Sequence, residues 1–265
     1  MKKVKLFGLL SAVVLGLSFA DNAYVNAAVP AVTNPYTADS YINTQMHYAD
    51  AVSVINKRKT NFSNLNIVCL GDSITYGTNG SGKRSITYPY TIKKKLKAGS
   101  VKNLGVAGSA ISRCSKNAMV DRYASISKSA DVIVVMAGVN DYFKSKNFGN
   151  FNSYDKKSFC SGTLEMMTGL KKKYPRAKII VVTPLRTSKS ARNAVQGQGA
   201  YVDAVKLAAE ANGFSIVDLY YSNILDSYDG NVVRDYIPDK LHPNANGYDI
   251  LGTIVAAEIV KVMDK

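Results

Sequence analysis

A hydroxyl attacks a carbonyl near neutral pH only when a base takes its proton, and histidine is the side chain whose ordinary pKa suits that transfer. The 265-residue chain has two histidines, His47 and His242. His47 lies in an N-terminal lead-in, far from any strand end. His242 lies in Asp239-Lys240-Leu241-His242-Pro243, directly before a long apolar-striped segment. An i,i+3 spacing within one turn can bring the Asp239 carboxylate to one ring nitrogen, which leaves the other for a hydroxyl. The candidate hydroxyl is Ser73 in Gly71-Asp72-Ser73-Ile74, where an apolar run over residues 67–70 meets a glycine. Such a run reads as a buried strand entering a tight turn. In open α/β sheets, ligands bind at the carboxyl ends of the strands. Asp72 shares the motif, but Asp239 beside His242 is the better orienter, so Asp72 receives no catalytic role.

An oxyanion needs neutral or fixed donors. Asn140, in Gly138-Val139-Asn140-Asp141 after a second apolar run, carries an uncharged amide N–H that suits the task. Gly108, in the segment 103–109, leaves its backbone N–H open to a ligand because no side chain intervenes. Asp141 and Tyr142 follow Asn140 directly and are expected as substrate contacts. Taken singly, each of these residues reads as a turn or cap residue. Together, four strand ends deliver a nucleophile, two oxyanion donors and an Asp-x-x-His pair in chain order.

The elements that must position them alternate. Strands are expected over residues 67–70, 101–105, 131–137, 178–183 and 214–219. Helices are expected over 88–97, 158–174, 200–212 and 246–263, and a weak helix over 39–58. Runs such as Asp131-Val132-Ile133-Val134-Val135-Met136-Ala137 are apolar and β-branched throughout, as in strands buried on both faces. The alternation implies an α/β fold with a parallel sheet covered by helices on both sides. Residues 75–87 and 142–157 are expected as long irregular loops overhanging the same rim as Ser73.

The first segment reads differently. Lys2, Lys3 and Lys5 precede an apolar run over 6–20 and small-residue cleavage patterns, which is the plan of a secretory signal peptide. The run is short for a membrane span, so no stable membrane insertion is expected. The organisation expected is a signal peptide over 1–28, a lead-in with a weak helix over 29–60, and one catalytic domain over 61–265. The net charge is +15, and removal of residues 1–28 takes only three lysines and Asp21 with it. The basic surplus favours anionic partners such as cell-surface polymers. Its lysines fall on helix faces, and no nucleic-acid module is present, so no nucleic-acid partner is expected. Three scattered cysteines form neither a disulfide framework nor a zinc site, although a Cys114–Cys160 bridge stays open. No cofactor and no metal is expected.

These blocks resemble the SGNH hydrolases, also called GDSL-like esterases and lipases. The matching residues are Gly71-Asp72-Ser73-Ile74, the segment 103–108, Gly138-Val139-Asn140-Asp141, and Asp239 to His242 with Pro243, in family order from about residue 67 to the C-terminus. The family's leucine is Ile74 here. The resemblance implies a flavodoxin-like three-layer α/β/α sandwich with a five-stranded parallel sheet. It also implies Ser73 as nucleophile, Asp239 and His242 completing a triad, and an oxyanion hole from the Ser73 N–H, the Gly108 N–H and the Asn140 side chain. Only the Ser73 N–H comes from the resemblance alone.

The function expected is a secreted serine esterase acting on a small-molecule or glycan ester, with acetyl or other short-chain esters on a carbohydrate favoured. The polar, tyrosine-bearing stretch 142–154 suits sugars and lacks a long apolar run. Lipase, lysophospholipase or acyltransferase activity with the same triad, and a catalytically silent glycan-binding module, are the alternatives. Gly77-Thr78-Asn79-Gly80-Ser81-Gly82-Lys83 matches a phosphate-loop pattern. However, Arg84 stands where that loop needs Ser or Thr, and the run starts too late after its strand.

Overall fold

Burial on both faces requires an uninterrupted apolar strand, and the chain supplies this in its middle strands. In a computed structural model that describes residues 40–152, 155–192 and 194–265, five strands form one parallel sheet. They are β1 (Asn66–Gly71), β2 (Ser100–Gly105), β3 (Val132–Met136), β4 (Lys178–Val182) and β5 (Ser215–Val217). Their order is β2-β1-β3-β4-β5, so the strand order reverses beside β1. The segment expected as a signal peptide, and residues 29–39, lie outside the described residues.

The helices are α1 (Ser40–Asn56), α2 (Ser73–Tyr76), α3 (Tyr88–Leu96), α4 (Met119–Arg122), α5 (Val139–Lys144), α6 (Phe159–Lys173), α7 (Gln198–Ala211), α8 (Gly230–Asp235) and α9 (Ala245–Met263). Side chains alternate across the sheet with the strand period of two. Ile67, Cys69, Val132, Val134, Ile180 and Val182 face one core, which α1, α3 and α9 close. Val68, Leu70, Ile133, Val135, Ile179 and Val181 face the other, closed by α4, α6 and α7. The result is the α/β/α sandwich that the alternating pattern implies.

The expected long helices form within one or two residues of their anticipated ends, and each has a physical terminus. Thr87 caps α3 by accepting from Tyr90 N, with Pro89 in the first turn. Asn244 caps α9 by accepting from Gly247 N. Gly213 follows α7 at φ +71°, a left-handed conformation that glycine adopts without a Cβ penalty. The stretch expected as a lead-in is more than that. Its helix α1 puts Ala51 and Ile55 into the core and packs on α9. Ser40 Oγ donates to Asn223 O, and Leu225 N donates to Thr44 Oγ1.

Two expectations are corrected and one open pairing is resolved. The loops anticipated at 75–87 and 142–157 begin as helical turns, because α2 and α5 continue through Tyr76 and Lys144. β5 is shorter than anticipated, since Leu219 N and Tyr220 N leave the ladder for Thr183 Oγ1. The Cys114–Cys160 bridge is not formed, and all three cysteines are free thiols. α4 and α8 were not anticipated; at four and six residues they are too short to show an apolar period.

Gly252 lets α9 approach α3 closely. A Cβ there would lie 2.5 Å from Thr91 Cβ and 2.9 Å from Tyr88 O. Gly252→Ala is therefore expected to lower stability by about 1–3 kcal/mol through overpacking, measured by urea denaturation.

Candidate active site

The site begins with two missing side chains. A Cβ on Gly71 would lie 1.9 Å from Thr75 Oγ1 and 2.8 Å from Met136 O. A Cβ on Gly105, its register partner in β2, would lie 2.1 Å from Tyr76 N. With both absent, the single turn α2 settles directly onto the ends of β1 and β2. Asn103 Nδ2 donates to Thr75 O at 2.7 Å, and Thr75 Oγ1 shares a hydrogen with the buried Tyr88 hydroxyl at 3.0 Å. Asp72 caps the turn by accepting from Ile74 N at 2.9 Å.

Ser73 is the first residue of α2 and is 8% exposed. As a first-turn donor, its N–H has no intrahelical acceptor. Its Oγ lies 3.0 Å from His242 Nε2, a link across 169 residues of chain. His242 Nδ1 lies 2.8 Å from Asp239 Oδ2. Asp239 Oδ1 accepts from Leu241 N at 3.0 Å and His242 N at 2.6 Å, so one carboxylate holds both the ring and the backbone of the histidine. Lys189 Nζ adds a contact to Oδ2 at 3.1 Å. Burial alone would raise the Asp239 carboxyl. The His242 hydrogen bonds and Lys189 outweigh it and hold the group well below the usual carboxylate range.

Asn140 lies in the first turn of α5, and its Nδ2 donates to Ser109 O at 3.1 Å and more loosely to Asp72 Oδ2 at 3.4 Å. The long Asp72 contact is the one a stronger acceptor can replace. Gly108 is held at φ +73°, and Lys144 Nζ donates to its carbonyl at 2.5 Å. Among the described residues no acceptor takes the Gly108 N–H. Ser73, Gly108 and Asn140 thus follow β1, β2 and β3, the three adjacent strands where the order reverses and where such sheets bind ligands.

Two of the anticipated contacts are placed differently. Asp141 is fully buried, and its carboxylate accepts from Ile111 N, Ser112 N and Ser112 Oγ at 2.7–2.9 Å. It ties the loop after β2 to α5. Tyr142 is half-buried, edge-on to Tyr201 with ring centroids 5.9 Å apart. Phe148 likewise packs onto Phe159 and Tyr201. The aromatics of that loop mostly hold it down. The glycine-rich segment after α2 is no phosphate cradle: Thr78 bridges Arg84, and Gly80 packs against Pro238 beside Asp239. Among the described residues no group of three or more His, Cys, Asp or Glu side chains could hold a metal ion.

Sequence reasoning missed three supports. Asp72, given no role, holds both α2 and the Asn140 amide. Arg122 donates to the carbonyls of Gly71, Leu104 and Asn117 and to Ser109 Oγ, and so clamps the ends of β1 and β2. Lys189 lies in a loop with no motif. None carries a local pattern, although Asp72 sat inside the one already singled out.

The model of the GDSL-like Lipase/Acylhydrolase family matches residues 69–250. The chain belongs to this family. It is a carboxylic ester hydrolase. No curated protein matched. A solved structure of a protein from Lactobacillus plantarum is 25% identical, with TM-score 0.68, covering 75% of this chain and 98% of that one. Two more distant structures share the fold. The lipase/acylhydrolase from Enterococcus faecalis is 21% identical, with TM-score 0.52 and coverage of 75% and 96%. A carbohydrate acetylesterase family member from Sinorhizobium meliloti is 16% identical, with TM-score 0.56 and coverage of 75% and 98%. No helix among the described residues is long and apolar enough to cross a membrane.

Two measurements check the buried carboxylates of this hydrolase. Asp141→Ala leaves two N–H groups and a hydroxyl without their acceptor, so a loss of about 2–4 kcal/mol in urea denaturation is expected. Burial pushes Asp72 up to about 6. An acid whose folded pKa is raised contributes stability that is complete below its unfolded pKa and is lost as pH rises through the folded one. Asp72→Asn is therefore expected to flatten the stability profile between about pH 4 and pH 6. An unchanged profile would show that Asp72 is not held protonated there.

Proposed function

We propose that this hydrolase is a secreted serine esterase in which Ser73, His242 and Asp239 work as a triad on acetyl or other short-chain esters of a carbohydrate. The observation that carries the reading is the unbroken line from Ser73 Oγ through His242 to Asp239, at 3.0 and 2.8 Å. His242 Nε2 takes the Ser73 proton as Oγ attacks the ester carbonyl, and Asp239 stabilises the imidazolium that forms. The Ser73 N–H, the Gly108 N–H and the Asn140 amide receive the oxyanion, with Asn140 giving up its long contact to Asp72. The alcohol leaves with the proton from His242. Water then enters, His242 takes its proton as the water oxygen attacks the acyl carbon, and His242 returns that proton to Ser73 Oγ as the acyl–Oγ bond breaks and the acid leaves.

Support for a sugar carrier comes from the polar rim. Tyr76, in the same turn as Ser73, is 37% exposed, with the Arg84 guanidinium 4.8 Å from its ring centroid. Tyr228 is 50% exposed beside the Ser188–Ser227 contacts of the opposite loop. Amphipathic rings flanked by hydroxyls suit a polyol better than an acyl tail. Secretion rests on the basic and apolar leader of residues 1–28.

Ser73→Ala is expected to lower hydrolysis of p-nitrophenyl acetate by about 10⁴-fold or more with the circular dichroism spectrum unchanged. Asn140→Ala is expected to lower kcat by about 10²–10³-fold. Full turnover in Ser73→Ala would sink the triad. In a series of acetyl, butyryl, octanoyl and palmitoyl esters beside acetylated xylan, turnover is expected to fall with chain length. A preference for the palmitoyl ester would overturn the carbohydrate assignment.

A further inference from the structure

The triad carboxylate has a second partner that no motif announced. Asp239 Oδ2 receives His242 Nδ1 at 2.8 Å and Lys189 Nζ at 3.1 Å on the same oxygen. Lys189 comes from the loop after β4, and its backbone is fixed there independently of its side chain. Lys189 N donates to Thr187 Oγ1 at 3.2 Å, and Thr187 Oγ1 donates to Lys240 O at 2.7 Å, within the triad loop itself. Thr187 N in turn donates to the buried Gln198 side chain of α7. The ammonium is thus delivered to Asp239 by a loop tied to the same turn that carries it.

We propose that Lys189 is a positioning residue of the triad, which lowers the basicity of His242 by sharing the Asp239 carboxylate and thereby extends esterase activity towards lower pH. The inference rests on the triad reading above. Lys189 and His242 compete for one carboxylate oxygen. A carboxylate oxygen that serves an ammonium has less charge to offer an imidazolium, and the ammonium repels that imidazolium directly. Other groups around the pair act in both directions. Asp72, from the β1 turn, faces His242. Tyr248 of α9 faces Asp239 and Asp72, and burial keeps its hydroxyl well above the ordinary range, hence neutral. Lys240, exposed in the triad loop, adds a cation next in sequence to Asp239. Gly80 packs against Pro238 with no side chain to contribute. Lys189 is the cation in direct contact with the Asp239 carboxylate, at 3.1 Å. Its side chain is 39% exposed, so solvent moderates the effect without removing it.

The chain's two histidines make the test direct, because His47 on α1 serves as an internal reference. The imidazole resonances are followed against pH by NMR in the native protein and in Lys189→Met, Lys189→Arg and Lys189→Glu. The expected result is a His242 pKa higher by about half to one unit in Lys189→Met, higher still in Lys189→Glu, near native in Lys189→Arg, and an unmoved His47. The acid limb of kcat/KM is expected to move with His242 while KM stays constant. A native His242 pKa in folded Lys189→Met and Lys189→Glu would overturn the proposal, and so would a fall. A variant that failed to fold would be replaced by Lys189→Gln, which keeps the length and a polar end. The NMR titration does not depend on turnover, so loss of the triad reading through an active Ser73→Ala is read separately from loss of the Lys189 inference.

Discussion

The molecule depends on a steric allowance at the ends of two neighbouring strands. Gly71 and Gly105 pair in register, and neither position could carry a Cβ without meeting α2 at about atomic overlap. Because both side chains are absent, one helical turn sits on the sheet edge, and the first residue of that turn is Ser73. Everything else at the site is referred to this fixed hydroxyl. Arg122 closes the same corner from outside by donating to the carbonyls of Gly71 and Leu104. Asp72 closes it from inside, as the cap of α2 and the neighbour of the Asn140 amide.

The buried carboxylates divide the electrostatic work. Asp72 and Asp141 are fully buried, and burial pushes both up to about 6 despite the hydrogen bonds they accept. They position backbone and amide donors, for which an acceptor oxygen matters more than a full charge. Asp239 is the opposite case. It is partly exposed and accepts from a ring, two backbone N–H groups and an ammonium, so it stays ionised far into acid. A triad needs one carboxylate that remains charged while a neighbouring imidazole changes state. Burial together with these partners separates Asp239 from Asp72 and Asp141.

Much of the sheet was legible because β1, β3 and β4 are apolar on both faces, a pattern that admits few alternatives once glycine or proline ends each run. β2 and β5 lie at the sheet edges, where one residue of the two strands, Val217, is buried; β2 still forms within one residue of its expected bounds, whereas β5 is the shorter for it. The short turns α2, α4, α5 and α8 escaped because four to six residues show no period. The loop over 142–154 illustrates a different ambiguity. Its aromatics suit sugars by composition, and Phe148 is instead packed on Phe159 and Tyr201. Asp141 followed the same rule: a carboxylate beside a site residue says nothing about which way it points.

The sequence by itself determined which residue types could do the chemistry and which strand ends would carry them. Ser73, Gly108, Asn140 and the Asp239–His242 pair each sit where local pattern stops, and a parallel sheet sends all such stops to one rim. Tertiary structure alone decided what holds these groups in place and tunes them. Arg122 and Lys189 lie 51 and 50 residues from what they touch at Gly71 and Asp239, and α1 packs against a helix that begins about two hundred residues later. No local pattern encodes such pairs, because which loops meet is set by the order and twist of the strands beneath them.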